Sequence, residues 1–190
     1  MSTRIFFYKK YFRDHHGKSV NLDSIIGMKI SIILIGHNTI NELKDLLASI
    51  NRLNYDGACE VVYVDDGSTD QSYCYFKDFN LKFLKRGCFI KKNKGRVFAR
   101  QKAVELSSGD WLCFINSNVI VDPNLLLEYK QTINECEAVA FGGVIFYKSR
   151  DTVFEDYLNN IQRGIHSYKH KQKIHFKNLL FGNCIIKRIA

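Results

Sequence analysis

The chain has 190 residues, enough for one domain with a real core, and its 46% apolar and 25% charged composition excludes a wholly disordered protein. No apolar run approaches the roughly 20 residues of a membrane-spanning helix, and residues 1–10 lack the sustained apolar core and cleavage site of a signal peptide. The net charge of +9 gathers at the ends, with +4 on residues 1–18, +7 on residues 163–190 and −2 between, a distribution that suits an anionic surface better than a basic cleft. Nucleic acid, anionic lipid and plain solubility all remain open as readings of that charge. The six cysteines are scattered singly without Cys-x-x-Cys spacing, so zinc and a disulfide framework are disfavoured and a reducing compartment is the simpler reading.

Residues 1–27 mix aromatic and basic side chains without periodicity and read equally as a flexible extension, a membrane-touching arm, or a segment upstream of a start at Met28. Ile30 to Ile35 is a nearly continuous apolar run, the mark of a strand covered on both faces. Thr39 and Glu42 have capping-box spacing, and Leu43, Leu46, Leu47, Ile50 and Leu53 recur at helical spacing. Cys59–Val64 is a second strand, ending abruptly in Asp65-Asp66-Gly67-Ser68-Thr69-Asp70.

A third unit follows, with a short strand around Cys88–Ile90, the polar stretch Lys91–Arg96, and a helix from Val97 to Leu106. Trp111–Ile115 is another buried strand and ends in Asn116-Ser117-Asn118. Asp122-Pro123 predicts an N-cap followed by proline at the first helical position, with Leu125, Leu126, Tyr129 and Ile133 on the buried face. Ala138–Tyr147 reads as a strand or bent strand pair. Thr152 to Glu155 is a second capping-box spacing, Lys169–Lys177 is a basic loop, and Leu179–Lys187 is a final strand. Alternating strands and helices place the polar strand ends on one edge of a mostly parallel sheet.

Asp-Asp-Gly-Ser-Thr-Asp at 65–70, Asn93-Lys94-Gly95-Arg96-Val97-Phe98-Ala99-Arg100, and Gly109-Asp110-Trp111 before an apolar strand resemble, in that order and spacing, a family 2 glycosyltransferase. The resemblance implies a three-layer α/β/α, Rossmann-like GT-A fold, incomplete at its C-terminus. It divides the chain into an extension (1–27), a nucleotide-sugar-binding half (28–124) and the start of an acceptor half (125–190). His37 and Asn38 match positions lining the nucleobase pocket, and Asp65 and Asp66 match the acidic pair at base and ribose. Gly95, Arg96 and Arg100 match the basic helix start near the phosphates, where backbone N–H groups and the helix dipole suit an anion.

Two departures stand against the family pattern. Where the family carries Asp-x-Asp to hold Mg2+ or Mn2+, this chain has Asn116-Ser117-Asn118. Asn118 is left as the metal-ligand candidate, and its neutral amide weakens any such site. Asp122 reads as the N-cap and not as a ligand. The general base is expected beyond Ala190, with Glu155 and Asp156 the alternative candidates within the chain.

The resemblance implies an inverting transferase taking a UDP- or GDP-linked sugar to a glycan or lipid-linked acceptor, in cell-envelope polysaccharide biosynthesis. The expected place is the cytoplasm, peripheral to an anionic membrane face, with nucleic acid disfavoured as a partner. The alternative is a degenerate or truncated domain that binds nucleotide or a partner without turnover.

Overall fold

The apolar run at Ile30–Ile35 becomes the centre of the sheet. A computed structural model of the chain describes residues 3–4, 27–143, 145, 179 and 181–188. Its elements are β1 (Thr3–Arg4), β2 (Ile30–Gly36), α1 (Ile40–Asn51), β3 (Cys59–Asp65), α2 (Ser72–Asp78) and β4 (Leu84–Phe89). They continue with α3 (Arg96–Leu106), β5 (Trp111–Asn116), β6 (Val119–Ile120), α4 (Leu125–Glu135), β7 (Ala140–Gly142) and β8 (Asn183–Lys187). Six strands form one sheet in the order β4-β3-β2-β5-β8-β7, with β2 to β5 parallel and β8 antiparallel to both β5 and β7. A separate two-residue ladder pairs β1 with β6.

Strand alternation sorts the core into two layers. Ile30, Ile32 and Leu34 of β2 face the same side as Val61 and Tyr63, where α1, α2 and α4 bury Leu46, Leu47, Phe76, Leu126 and Tyr129. Ile33, Val62, Val64, Leu112 and Phe114 face the other side, against Ala99 and Ala103 of α3. The small alanines let α3 lie close over the sheet. Both faces of β2 are therefore covered, as its unbroken apolar run predicts. All six cysteines are free thiols, and Cys113 and Cys184 are fully buried.

The register fixes the site. Gly36 lies opposite Asp65, and Ile35 opposite Asn116, so the ends of β2, β3 and β5 stand side by side on the carboxyl edge. Helix α3 follows β4, whose Phe89 pairs with Asp65, and so begins on that same edge.

Several local expectations need correction. The Thr39–Glu42 capping box does not form: α1 has no side-chain cap from Thr39. Its first N–H, that of Ile40, is instead donated to Asp70 Oδ2 at 2.9 Å. Helix α4 starts at Leu125 with Asn124 at its N-cap, two residues after the predicted start, because Asp122 Oδ1 accepts the Asn124 N–H in a local turn. The strand near Cys88 begins at Leu84, and α2 precedes it unpredicted. The predicted basic loop, the second capping box, and most of the region between β7 and β8 lie outside the described residues.

Candidate functional site

Two adjacent carboxylates end β3, Asp65 wholly buried and Asp66 with 5% of its surface exposed. Unpaired acids cannot be held that deep, so the question is what satisfies them. Asp65 Oδ1 accepts the Ser68 N–H at 2.7 Å, and Oδ2 accepts the Tyr63 hydroxyl at 3.2 Å. Burial, with the neighbouring Asp65 charge, pushes the Tyr63 phenol well up, so it stays a donor.

Asp66 reaches further. Its Oδ1 accepts the Lys94 N–H and its Oδ2 the Gly95 N–H, both at 2.8 Å. One carboxylate thus anchors, by charge-assisted bonds, the loop that enters α3. The approach is close enough to dictate residue type at Gly67. It has φ +79°, and a Cβ there would fall 2.6 Å from the Asn93 backbone nitrogen.

The β2 loop locks onto the same assembly. Asn38, in the left-handed region at φ +53°, donates its N–H to Ser68 Oγ at 2.8 Å and accepts the Thr69 N–H on Oδ1 at 2.8 Å. Exposed His37 lies Nδ1 to carbonyl, 2.9 Å from the Asp66 oxygen. A carbonyl can only accept, so Nδ1 carries the proton. His37, Asn38, Asp65, Asp66 and Gly95 are therefore brought together as one hydrogen-bonded constellation.

Asp70 was not singled out by sequence reasoning, yet it joins α1 to α2. Besides the Ile40 N–H it accepts both the N–H and the hydroxyl of Ser72. Burial works to raise its carboxyl, but the bonds from Ser72 and Ile40 outweigh it and hold the group below the usual range. The signal was present as Asp-x-Ser, an Asx-type pattern.

The arginines form no ion pair with these acids, although Asp66 is bonded to the Gly95 N–H next to Arg96. Arg96 is exposed at the first position of α3, and Arg100 lies one turn on, its guanidinium 5.0 Å above the Phe181 ring. Burial, and then the Arg96 charge beside it, lowers the Arg100 pKa. Neither arginine forms a salt bridge among the described residues, where the ion pairs are Lys29 and Arg86 with Glu60, and Lys102 with Glu105. Helix α3 also has no side-chain cap. Asp66 and Asn93 accept the Gly95 N–H, and the two arginines with the next N–H groups of α3 are left to attract an anion.

Asn116 and Asn118 complete the edge from β5. Asn116 is half-buried and donates its N–H to the Gly182 carbonyl at 3.3 Å, which ties β5 to the strand entering at Asn183. Asn118 is exposed in the turn before β6. Among the described residues no group of three His, Cys, Asp or Glu side chains could hold a metal ion. The amide carbonyls of Asn116 and Asn118 can ligate a hard divalent cation but bring no negative charge, so they would hold one weakly. Glu155 and Asp156 lie outside the described residues.

Comparison with known proteins decides the lineage of this arrangement. The model of the glycosyl transferase family 2 matches residues 31–188. The chain belongs to that family. Among characterised and uncharacterised relatives, it is 30% identical over 122 residues to the uncharacterized glycosyltransferase YfnE of Bacillus subtilis, covering 64% of this chain and 31% of that protein. It is 27% identical to the glycosyltransferase GlyG of Streptococcus pneumoniae, covering 68% of this chain and 43% of GlyG. The chain thus spans less than half the length of these family members. A crystal structure of S. aureus TarS in complex with UDP-GlcNAc superposes with a TM-score of 0.56 at 25% identity, over 60% of this chain and 33% of that one. The mannosyltransferase PcManGT of Pyrobaculum calidifontis, solved with GDP-Man and Mn2+, shares the fold over 84% of this chain and 44% of its own, with a TM-score of 0.63 at 15% identity. The mixed α/β fold with a mostly parallel six-stranded sheet is that of these solved GT-A glycosyltransferases.

Proposed function

We propose that this chain binds a UDP- or GDP-linked sugar on the carboxyl edge of its sheet and serves in its inverting transfer to a glycan or lipid-linked acceptor. The observation that carries the reading is the separation of charge there. Asp65 and Asp66 are satisfied by backbone N–H groups and hydroxyls, which leaves Arg96 and Arg100 without a carboxylate among the described residues. A diphosphate is the group such a field would hold. The TarS complexes with UDP-GlcNAc and UDP support the uridine nucleotide, and PcManGT with GDP-Man keeps guanosine in play.

In this reading His37 stacks at the base, and Asp65 and Asp66 shape the base and ribose pocket. The Asp66-anchored loop presents Gly95 and Arg96 to the phosphates. The acceptor hydroxyl gives its proton to a carboxylate base, and its oxygen bonds to the anomeric carbon as the carbon–oxygen bond to the diphosphate breaks. Arg96, Arg100 and the start of α3 stabilise the charge gathering on the departing nucleotide. Asn116 and Asn118 would hold a divalent cation only through neutral amide oxygens, and a bound cation would supply further charge stabilisation to the departing diphosphate.

A second reading, nucleotide binding without turnover, is favoured by those same asparagines. Titration calorimetry with UDP-GlcNAc and GDP-Man, with and without Mn2+, followed by assay for released nucleoside diphosphate, separates the two. Binding with transfer to an added acceptor supports the enzyme, and binding without it supports the second reading. Absence of any nucleotide binding under all conditions defeats both.

A further inference from the structure

We propose that the β4–α3 side of the molecule is a docking surface for a bilayer carrying anionic lipid. Between Lys82 and Lys102 the chain holds nine Lys or Arg residues and no Asp or Glu, a net +9 that equals the charge of the whole protein. The net −2 of residues 19–162 thus contains a strongly basic strip, and the terminal excess is only part of the charge distribution.

Part of the strip is committed to structure. Arg86 donates to Glu60 at 3.0 Å, and Lys82 and Lys85 cap backbone carbonyls of Leu53 and of the end of α2. Arg100 lies over Phe181. Lys91, Lys92, Lys94 and Arg96 remain exposed and form no salt bridge among the described residues. Lys102 pairs with Glu105, the first acid after the strip.

Apolar groups protrude among these cations. Of the seven large hydrophobic side chains exposed in the described residues, Val97 (79%) and Phe98 (39%) open α3 and Phe89 (43%) ends β4 against Tyr73, while Leu84 (57%) stands at the far, amino end of β4. Cys88, Phe89, Ile90 and Phe98 line one open groove along the outer strand, with Lys94 on its rim and Gln101 and the Lys102–Glu105 pair closing it. Edge strands often carry lysine to prevent strand pairing, which accounts for the cations of β4 but not for the exposed valine and phenylalanine of α3.

Lys94 lies 4.5 Å over the Phe98 ring, and exposed apolar side chains beside cations without a carboxylate are the chemistry of an anionic lipid interface, where cations meet headgroups and apolar groups enter the acyl boundary. Nucleic acid would use the same cations with stacked aromatic rings. Val97, the most exposed of the apolar side chains, has no ring to stack, so the lipid surface is favoured. The surface shares Lys94 and Arg96 with the carboxyl edge, so docking would bring that edge to the membrane. The proposal does not depend on nucleotide binding.

The test is co-sedimentation of the full chain with phosphatidylcholine vesicles that contain or lack phosphatidylglycerol. Binding is expected only to the anionic vesicles, and is expected to disappear at about 1 M salt, where the screening length falls to about 3 Å. Lys91→Gln with Lys92→Gln should weaken it roughly 30-fold. Val97→Trp adds a probe beside Trp111, which is 6% exposed and serves as a constant background. Its emission should shift to the blue on anionic vesicles. No binding, equal binding to both vesicles, or binding to a single-stranded oligonucleotide with an unshifted Val97→Trp emission on vesicles overturns the proposal.

Discussion

The two edges of the central sheet each bury carboxylates, and they satisfy them in different ways. At the amino edge Glu60, wholly buried, accepts the Ser31 hydroxyl at 2.6 Å, the Ser108 N–H at 2.6 Å and the Ser108 hydroxyl at 2.9 Å. Arg86 adds a charged bond at 3.0 Å. Arg188 closes the same edge by donating to the carbonyls of Gly109 and Ser107. Burial works to raise the Glu60 carboxyl, but the bonds from Ser31 and Ser108, with the Lys29 charge, leave it below its usual range.

At the carboxyl edge Asp65 and Asp66 receive backbone N–H groups and hydroxyls, and no cation. The amino edge is therefore electrically closed and serves the fold. The carboxyl edge uses its acids to shape loops and leaves cations over, which is the condition for holding an anionic ligand.

The comparison sharpens into ordered expectations. Glu60→Ala leaves its donors without their acceptor and is expected to cost about 4 kcal/mol of stability. Chemical denaturation measures that loss, and nucleotide affinity of the folded variant should stay unchanged. Gly67→Ala, strained by its positive φ and pressed on the Asn93 backbone, is expected to cost about 3 kcal/mol. Unlike the Glu60 change, it should also weaken nucleotide binding. If it binds as the wild type does, the loops at 67 and 93 are not part of the site.

A smaller effect concerns pH. Glu60 and Asp70 are both held below their ordinary values of 4.5 and 3.8. Their contribution is fully present above those values and is lost as pH falls through the lower folded-state values. Thermal stability is therefore expected to fall below about pH 4.5, and Glu60→Gln should make that acid limb shallower. A limb unchanged by Glu60→Gln would remove the amino edge from the account. Smallest is Asn38→Ala, which gives up two loop bonds and should cost about 1 kcal/mol by the same denaturation measurement.

The strands buried on both faces were legible in the sequence because their apolar runs are unbroken, as at Ile30–Ile35 and Trp111–Ile115. Strand β4 was shortened because it lies at the sheet's outer edge, where Leu84, Arg86, Gly87 and Phe89 are exposed and no apolar run forms. Helix α2 has only seven residues and opens after Gln71 in the left-handed region, so neither length nor period announced it.

The motif named the residues that the fold gathers on the carboxyl edge, but not their partners. Asp66 meets Lys94 and Gly95 across 28 and 29 positions of chain, and Asp70 replaces Thr39 as the cap of α1 from 30 positions away. Such pairings depend on strand order, which local spacing does not encode.

The central claim is that Asp66, by anchoring the loop at Lys94 and Gly95, builds a nucleotide site that Glu60 does not touch. Calorimetric titration of UDP and GDP into the wild type, Glu60→Gln and Asp66→Asn tests it directly. The account predicts equal affinity for the first two and at least a roughly tenfold loss in Asp66→Asn, the equivalent of about one hydrogen bond. Binding of neither nucleotide to the wild type, or undiminished binding to Asp66→Asn, would contradict it.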